Sequence, residues 1–172
     1  MLSFDLAEIA SHAVQVDGTL GADDPVWDEG DRKPASPIRV TGRLSSAGAP
    51  GRVYWQGHLA GTSRLECRRC LTDLELDIED DVQVLFAQPD DEDSADDPDV
   101  YPIDSRRGEL DLRRAVREQW LLAVPNYALC RDDCRGICPS CGADLNQGTC
   151  DCAPNTDSRW HALRAPRSDA AK

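Results

Sequence analysis

The sequence predicts an α+β fold: a small curved antiparallel β-sheet or partial barrel, covered by one main helix and followed by a cysteine-rich segment. Apolar and polar residues alternate along three runs between residues 38 and 86, which is the period of half-buried strands. A helical period follows between residues 111 and 124. Eight cysteines stand at close spacings, and closely spaced cysteines in a reducing compartment are typical of metal sites.

The three alternating runs predict three antiparallel strands. The first two runs are separated by Ala47-Gly48-Ala49-Pro50-Gly51, which is a turn signal. Gly57 and Gly61 interrupt the second run, and glycines inside a strand predict bulges or sharp curvature. The predicted strands cover residues 38–44, 53–67 and 74–86.

A helix is predicted over residues 111–124. Asp111 is the predicted N-cap, because its side chain can accept a hydrogen bond from the first turn. Pro125 ends the helix, since the residue before a proline is disfavoured in the α conformation. We expect Trp120 to be a core residue. One helical face contains Leu112, Ala115, Val116, Trp120 and Ala123.

The chain divides by composition into a β-rich body, residues 1–129, and a cysteine-rich tail, residues 130–172. The body contains an acidic loop, residues 88–100, with two prolines and no periodicity, a composition typical of loosely held loops. Residues 1–31 carry eight acids, residues 80–100 carry nine, and neither segment has a lysine or arginine. The loop is interpreted either as a solubilising segment or as one that contacts basic protein or prevents indiscriminate RNA binding.

Composition excludes several classes of protein. The formal charge is −13, and Leu, Ile, Val and Phe are only about 20% of the residues, the edge of what a hydrophobic core needs. The first residues have no basic and apolar signal pattern, and no run approaches the roughly 18 apolar residues of a membrane span. We therefore expect a cytoplasmic protein with reduced cysteines and no membrane partner.

The cysteines predict two zinc ions per chain, the second held by a zinc-ribbon-like tail. Zinc takes four thiolates in a tetrahedron, and Cys138-Pro139-Ser140-Cys141-Gly142 has the composition of a metal-binding turn. The favoured partition is Cys67, Cys70, Cys130 and Cys134 in one site and Cys138, Cys141, Cys150 and Cys152 in the other. The alternative partition places Cys67 and Cys70 with Cys138 and Cys141.

The sequence predicts no enzyme and no small-molecule substrate. Four sulfur ligands leave no open metal position for water, and the three histidines stand apart from one another. Motifs for acyl transfer or nucleotide binding are absent from the sequence. A zinc-dependent redox-sensing or regulatory interaction protein is the alternative interpretation, in which oxidation of the cysteines releases the metal.

Five arginines beside the cysteines are candidate contacts to RNA or to a protein partner. One interpretation is that they offset thiolate charge, and the other is that they bind phosphate, which suits the geometry of arginine. Trp55 or Tyr54 would join those on the hairpin tip in an RNA-facing patch. The five are Arg64, Arg68, Arg69, Arg131 and Arg135.

Three motifs together resemble the YceD family, over about residues 38–164. The first is Cys-Arg-Arg-Cys-Leu at residues 67–71. The second runs from Leu121 through the cysteines to Asp144-Leu145-Asn146. The third is Cys150-x-Cys152 followed by Asp157-Ser158-Arg159-Trp160-His161-Ala162-Leu163.

The resemblance implies a non-enzymatic role in large ribosomal subunit biogenesis, supporting accumulation of 23S rRNA. The implied partner is a precursor of the large subunit, bound through its rRNA or through a basic ribosomal protein. The net acidity disfavours direct RNA binding, because phosphate affinity comes chiefly from lysine and arginine. The resemblance does not choose between these two modes of contact.

Overall fold

A computed structural model describes residues 2–48, 51–88, 100–104, 108–152 and 159. Two helices and seven strands are described, and strands predominate. In chain order they are β1 (Ser3–Asp5), α1 (Leu6–Ser11), β2 (Val14–Leu20), β3 (Ile38–Ser46), β4 (Val53–Glu66), β5 (Asp73–Ala87), β6 (Val100–Pro102), β7 (Glu109–Asp111) and α2 (Arg113–Ala123).

A partly open five-stranded sheet forms the body, in the order β2-β3-β4-β5-β6. The three strands expected from alternation are present, and an N-terminal strand, β2, extends the sheet on one side. The expectation of a purely antiparallel sheet is wrong at one edge, because β6 pairs parallel with the end of β5. Twelve residues, 88–99, separate these two strands, and parallel pairing requires a connection of about this length.

Gly57 and Gly61 do not produce bulges. The β4–β5 ladder continues without a break from Val53↔Phe86 to Glu66↔Asp73. A Cβ on Gly57 would lie 2.4 Å from the Trp55 ring, and one on Gly61 would lie 3.1 Å from the Trp120 ring. These glycines therefore make room for two buried tryptophans.

Helix α2 begins two residues later than the predicted 111–124 helix. Asp111 belongs to strand β7, which pairs with β1, and Leu112 occupies the N-cap position. Asp111 still acts on the first turn, since its carboxylate accepts a 3.0 Å hydrogen bond from the backbone N–H of Arg113. Pairing with β1 thus places Asp111 in a strand instead of in the first turn of the helix.

The buried face of α2 packs on the sheet. Trp120 is fully buried, and its indole N–H donates to the backbone carbonyl of Arg32, 3.1 Å away. Ala123 is only half-buried, unlike the rest of the predicted face. Arg117 on the same helix bonds Asp28 and Asp31 at 2.6 Å each, so α2 is also tied to the loop that precedes β3.

The turn of the long β4–β5 hairpin and the far end of β5 lie at opposite ends of the sheet. The turn, between Glu66 and Asp73, carries the first pair of cysteines. The far end of β5 leads into the predicted acidic loop, of which residues 89–99 lie outside the described residues. No helix among the described residues is long and apolar enough to span a membrane.

Candidate metal centres

Four cysteines from two distant parts of the chain meet at the tip of the β4–β5 hairpin. Cys67 and Cys70 come from the hairpin turn, while Cys130 and Cys134 come from the segment after α2. The sulfurs of Cys67 and Cys134 lie 3.8 Å apart, and those of Cys70 and Cys130 lie 3.6 Å apart. We call these four residues the first cluster.

The other four cysteines form a second cluster within the tail: Cys138, Cys141, Cys150 and Cys152. The four sulfurs of each cluster lie within 4.8 Å of one another. The structure therefore groups the cysteines in the two sets favoured by their sequence spacing, and not in the set that joins Cys67 and Cys70 to Cys138 and Cys141.

The sulfur geometry fits a tetrahedral metal ion. Zinc–sulfur bonds of about 2.3 Å place neighbouring sulfurs of a tetrahedron roughly 3.8 Å apart, which matches the two distances in the first cluster. A disulfide would require about 2.05 Å, and all eight cysteines are free. Each cluster can thus hold one metal ion with its four cysteines as they stand, and no disulfide has to be broken.

The two Cys-x-x-Cys turns have the same backbone hydrogen bonds. The N–H of Cys67 donates to Thr72 O (2.8 Å), and the N–H of Leu71 donates to Cys67 O (2.9 Å). In the second turn the equivalent bonds run from Cys138 to Ala143 O (2.8 Å) and from Gly142 to Cys138 O (2.9 Å). The residue after each turn is left-handed, Leu71 at φ 61° and Gly142 at φ 74°.

Hydrogen bonds from backbone amides lower the pKa of one thiol in each cluster, Cys67 in the first and Cys138 in the second. Burial by itself would raise the pKa of the Cys67 thiol, but hydrogen bonds from three backbone N–H groups outweigh it and lower the pKa to about 6. The N–H groups of Cys141 and Ser140 lower the pKa of Cys138, also to about 6. The donors to Cys67 are Cys70, Cys130 and Arg69.

One other thiol in each cluster, Cys130 in the first and Cys152 in the second, resists ionisation. Burial, followed by the neighbouring Cys134, raises the pKa of Cys130 to about 12. The Cys141 side chain, followed by burial, raises the pKa of Cys152 to about 12. A cation held by the four sulfurs would favour the thiolate form of every sulfur that coordinates it.

Asn146 links the two clusters, and the sequence marks it only as the last residue of the second family motif. Its side-chain N–H₂ donates to the sulfur of Cys134, 3.6 Å away, in the first cluster. Its side-chain carbonyl accepts from the backbone N–H of Arg135 and from the Arg131 guanidinium, both at 2.8 Å. Since Asn146 lies between Cys141 and Cys150, the second cluster's loop supports a ligand of the first.

Two of the five predicted contact arginines are engaged inside the metal region. Arg69 donates to the backbone carbonyls of Cys134 (2.9 Å) and Asp132 (3.3 Å). A hydrogen bond with the Tyr127 side chain raises the pKa of Arg69. Arg131 bonds Asn146 and forms an ion pair with Asp133 at 3.3 Å. Both arginines connect segments of the chain to one another.

All five arginines are exposed, and the other three also lie near the first cluster. Arg64 pairs loosely with Glu75 at 3.8 Å, while the guanidinium groups of Arg68 and Arg135 have no ion-pair partner among the described residues. Arg64 and Arg68 also line a cavity of about 340 Å³ together with Arg32, which the sequence did not single out. Trp55, expected on an RNA-facing surface, is fully buried, and Tyr54 is half-buried.

The architecture defines a class of protein: a mostly β body carrying two four-cysteine sites that can hold metal. The chain matches the family model described as "Large ribosomal RNA subunit accumulation protein YceD" over residues 55–165, a range that contains all eight cysteines. It therefore belongs to the YceD family.

Curated relatives are similar at modest identity. An uncharacterised protein of Mycobacterium tuberculosis (strain ATCC 25618 / H37Rv) is 30% identical over 126 residues, 70% of this chain and 59% of that protein. A chloroplastic large ribosomal RNA subunit accumulation protein YCED homolog 1 of Zea mays is 26% identical over 180 residues, 87% of this chain and 59% of that protein. The chain thus spans about three fifths of these relatives. No solved structure matches it.

Proposed function

We propose that this protein is a non-enzymatic factor in large ribosomal subunit biogenesis, supporting accumulation of 23S rRNA by binding pre-ribosomal RNA or a ribosomal protein. The observation that carries the proposal is the family match, which covers both cysteine clusters. The printed name of the Zea mays relative also refers to large ribosomal RNA. The proposal places the work in the cytoplasm and assigns no substrate to the protein.

Each cluster holds one Zn²⁺ in this proposal. The support is the chemistry of the donors, since four thiolates at tetrahedral spacing suit zinc and leave no position for a reacting water. The metal would fix the shape of the tip rather than take part in a reaction. The tail, residues 130–172, would then form a zinc-ribbon-like unit attached to the body, residues 1–129.

The proposed contact surface surrounds the first cluster. Arg68 and Arg135 are its best candidates, because their guanidinium groups are exposed and make no ion pair among the described residues. Arg64 and Arg32 add charge at the neighbouring cavity. Arginine at such a surface can bond a phosphate or a carboxylate with two parallel hydrogen bonds.

The experiment compares two double variants of equal charge in cells depleted of the native protein. Arg68→Ala with Arg135→Ala should lower large-subunit rRNA relative to small-subunit rRNA and weaken co-sedimentation with large-subunit precursors. Arg39→Ala with Arg43→Ala, on exposed positions of β3, is the control and should restore both. Normal rRNA ratios after depletion of the protein itself would overturn the proposed function.

Exposure of the ligands supports a second candidate, redox-sensitive regulation. Cys130, Cys141 and Cys152 are exposed, so an oxidant can reach both clusters. Mild peroxide should then release metal and lower the affinity for precursor particles in parallel. Retention of the particles after complete loss of metal would leave only the assembly role.

A further inference from the structure

Strand β5 presents a long unpaired edge. It pairs with β4 from Asp73 to Phe86, but on its other side β6 covers only Leu85–Ala87. Among the described residues, positions 73–84 therefore have no strand on that side. Alternate N–H and C=O groups of such an edge are open to another strand.

Exposed acids occupy every second position along this edge. Every outward position from residue 73 to residue 81 is an exposed acid, and the intervening positions are apolar except for Asp80, a half-buried acid on the other face. At about 3.3 Å per residue, the acids form a line roughly 26 Å long. They are Asp73, Glu75, Asp77, Glu79 and Asp81.

Strand β4 places a basic side chain beside only two acids of this line. Arg64 lies 3.8 Å from Glu75, and His58 lies 2.8 Å from Asp81. The two acids between them, Asp77 and Glu79, lie opposite Thr62 and Ala60, which carry no charge. Asp77 and Glu79 therefore have no basic residue opposite them on β4.

The opposite edge of the sheet is different. Strand β2 has seven residues, and its outward acid, Asp17, faces Arg39 across the sheet at 3.7 Å. The combination of a long open backbone edge and alternating unneutralised acids is therefore particular to β5 among the two edges described.

We propose that β5 binds an extended, lysine- or arginine-rich protein segment, which adds a strand to its free edge. Backbone hydrogen bonds would provide affinity, as in other cases of strand addition. Basic residues at every second position would lie about 4.5–5.5 Å from the acids and provide specificity. RNA is disfavoured here because its phosphates meet like charge, so this surface is distinct from the arginines around the first cluster.

The test uses the full chain and two peptides of equal composition. One peptide alternates, (Lys-Val)₅, and the other groups the same residues, Lys₅Val₅. Fluorescence anisotropy in about 50 mM salt should show at least tenfold tighter binding of the alternating peptide, because only its period matches the strand. Methylation of alternate backbone nitrogens of the peptide, on the edge that would bond β5, should abolish that preference. Equal binding of the two peptides, or no binding, would overturn the proposal.

A matched pair of variants locates the site. Asp77→Asn with Glu79→Gln removes the central charges and should weaken the alternating peptide about three- to tenfold at low salt, with a smaller difference at high salt. Asp23→Asn with Glu29→Gln removes the same charge from exposed positions of the loop before β3 and should leave binding unchanged. Equal weakening by both pairs would overturn the assignment to β5. Displacement of the peptide by single-stranded RNA would also overturn it, if the β5 variant binds the peptide as tightly as the unchanged protein does.

Discussion

The two cysteine clusters share local geometry and differ in what they connect. Both begin with a Cys-x-x-Cys turn that has the same pair of backbone hydrogen bonds and a left-handed residue at its end. The second cluster closes within residues 138–152, whereas the first joins residues 67 and 134. A link that closes a longer loop removes more conformational freedom from the unfolded chain. With the same four sulfur ligands, the first cluster is therefore expected to stabilise the fold more than the second.

The surroundings of the clusters increase this difference. Two ligands of the first cluster, Cys67 and Cys134, are buried, while only Cys138 is buried in the second. The first cluster is also held by Arg68 N–H donating to Ala128 O at 2.9 Å and by Ile137 N–H donating to Arg69 O at 3.1 Å. The sheet, the helix exit and the tail therefore converge on the first cluster.

The largest expected effect is the loss of a first-cluster ligand. Cys70→Ser should lower the unfolding temperature of the whole β body, because structural zinc sites contribute about 10–16 kcal/mol of apparent binding free energy to folding. Cys150→Ser should mainly expose amides after Gly136. Hydrogen exchange on both variants measures the comparison.

Zinc content of the same variants provides the control. Each should lose one metal ion and retain the other. Global loss of protection that is equal in both, or larger in Cys150→Ser, would break the distinction between the clusters.

A smaller effect is expected at the link between them. Asn146→Ala removes the donor to the Cys134 sulfur, and loss of an outer partner of a metal ligand typically lowers metal affinity 10- to 100-fold. The first cluster should therefore release zinc to a chelator sooner, although Asn146 belongs to the loop of the second cluster. Competition with a chromophoric chelator follows the release.

The neighbouring Gln147 provides the matched control, because its side chain bonds Asp144 at 3.0 Å and no sulfur. Gln147→Ala should leave the release of zinc unchanged. Equal weakening by both substitutions would show that the loop, and not the amide–sulfur contact, supports the first cluster.

The smallest effects concern the left-handed residues. Gly142→Ala should cost about 1 kcal/mol, since a Cβ there meets nothing within 4 Å and only the positive φ opposes it. Leu71→Gly should change stability in the opposite direction by up to about 1 kcal/mol, because Leu71 is 57% exposed and loses little burial. Chemical denaturation of both metal-loaded variants tests the signs. A destabilised Leu71→Gly would show that the leucine side chain is needed at the turn.

Alternation predicted the centre of the sheet because each central strand has one buried and one exposed face. The first twenty residues lack so clear a pattern, and β1, α1 and β2 were not predicted there. The start of α2 was misplaced because β1, more than 100 residues away, recruits Asp111 into a strand. The roles of Gly57 and Gly61 depend on two tryptophan rings, one of them from a distant helix.

The cysteine clusters were easier to predict than their surroundings. Cysteine spacing favoured the two sets of sulfurs that the structure brings together. The hydrogen bond of Asn146 to Cys134 and the engagement of Arg69 and Arg131 depend on how the tail folds back on the hairpin. No residue type or spacing encodes those contacts, so the sequence could not show that Arg69 and Arg131 also bond within the chain.

We infer that the eight cysteines form two metal centres. Native mass spectrometry of the protein purified under reducing conditions tests it most directly. We expect two zinc ions per chain, with one retained when either cluster loses a ligand. A metal-free chain that keeps its native hydrogen-exchange protection, or a mass that fits one shared ion, would contradict the account.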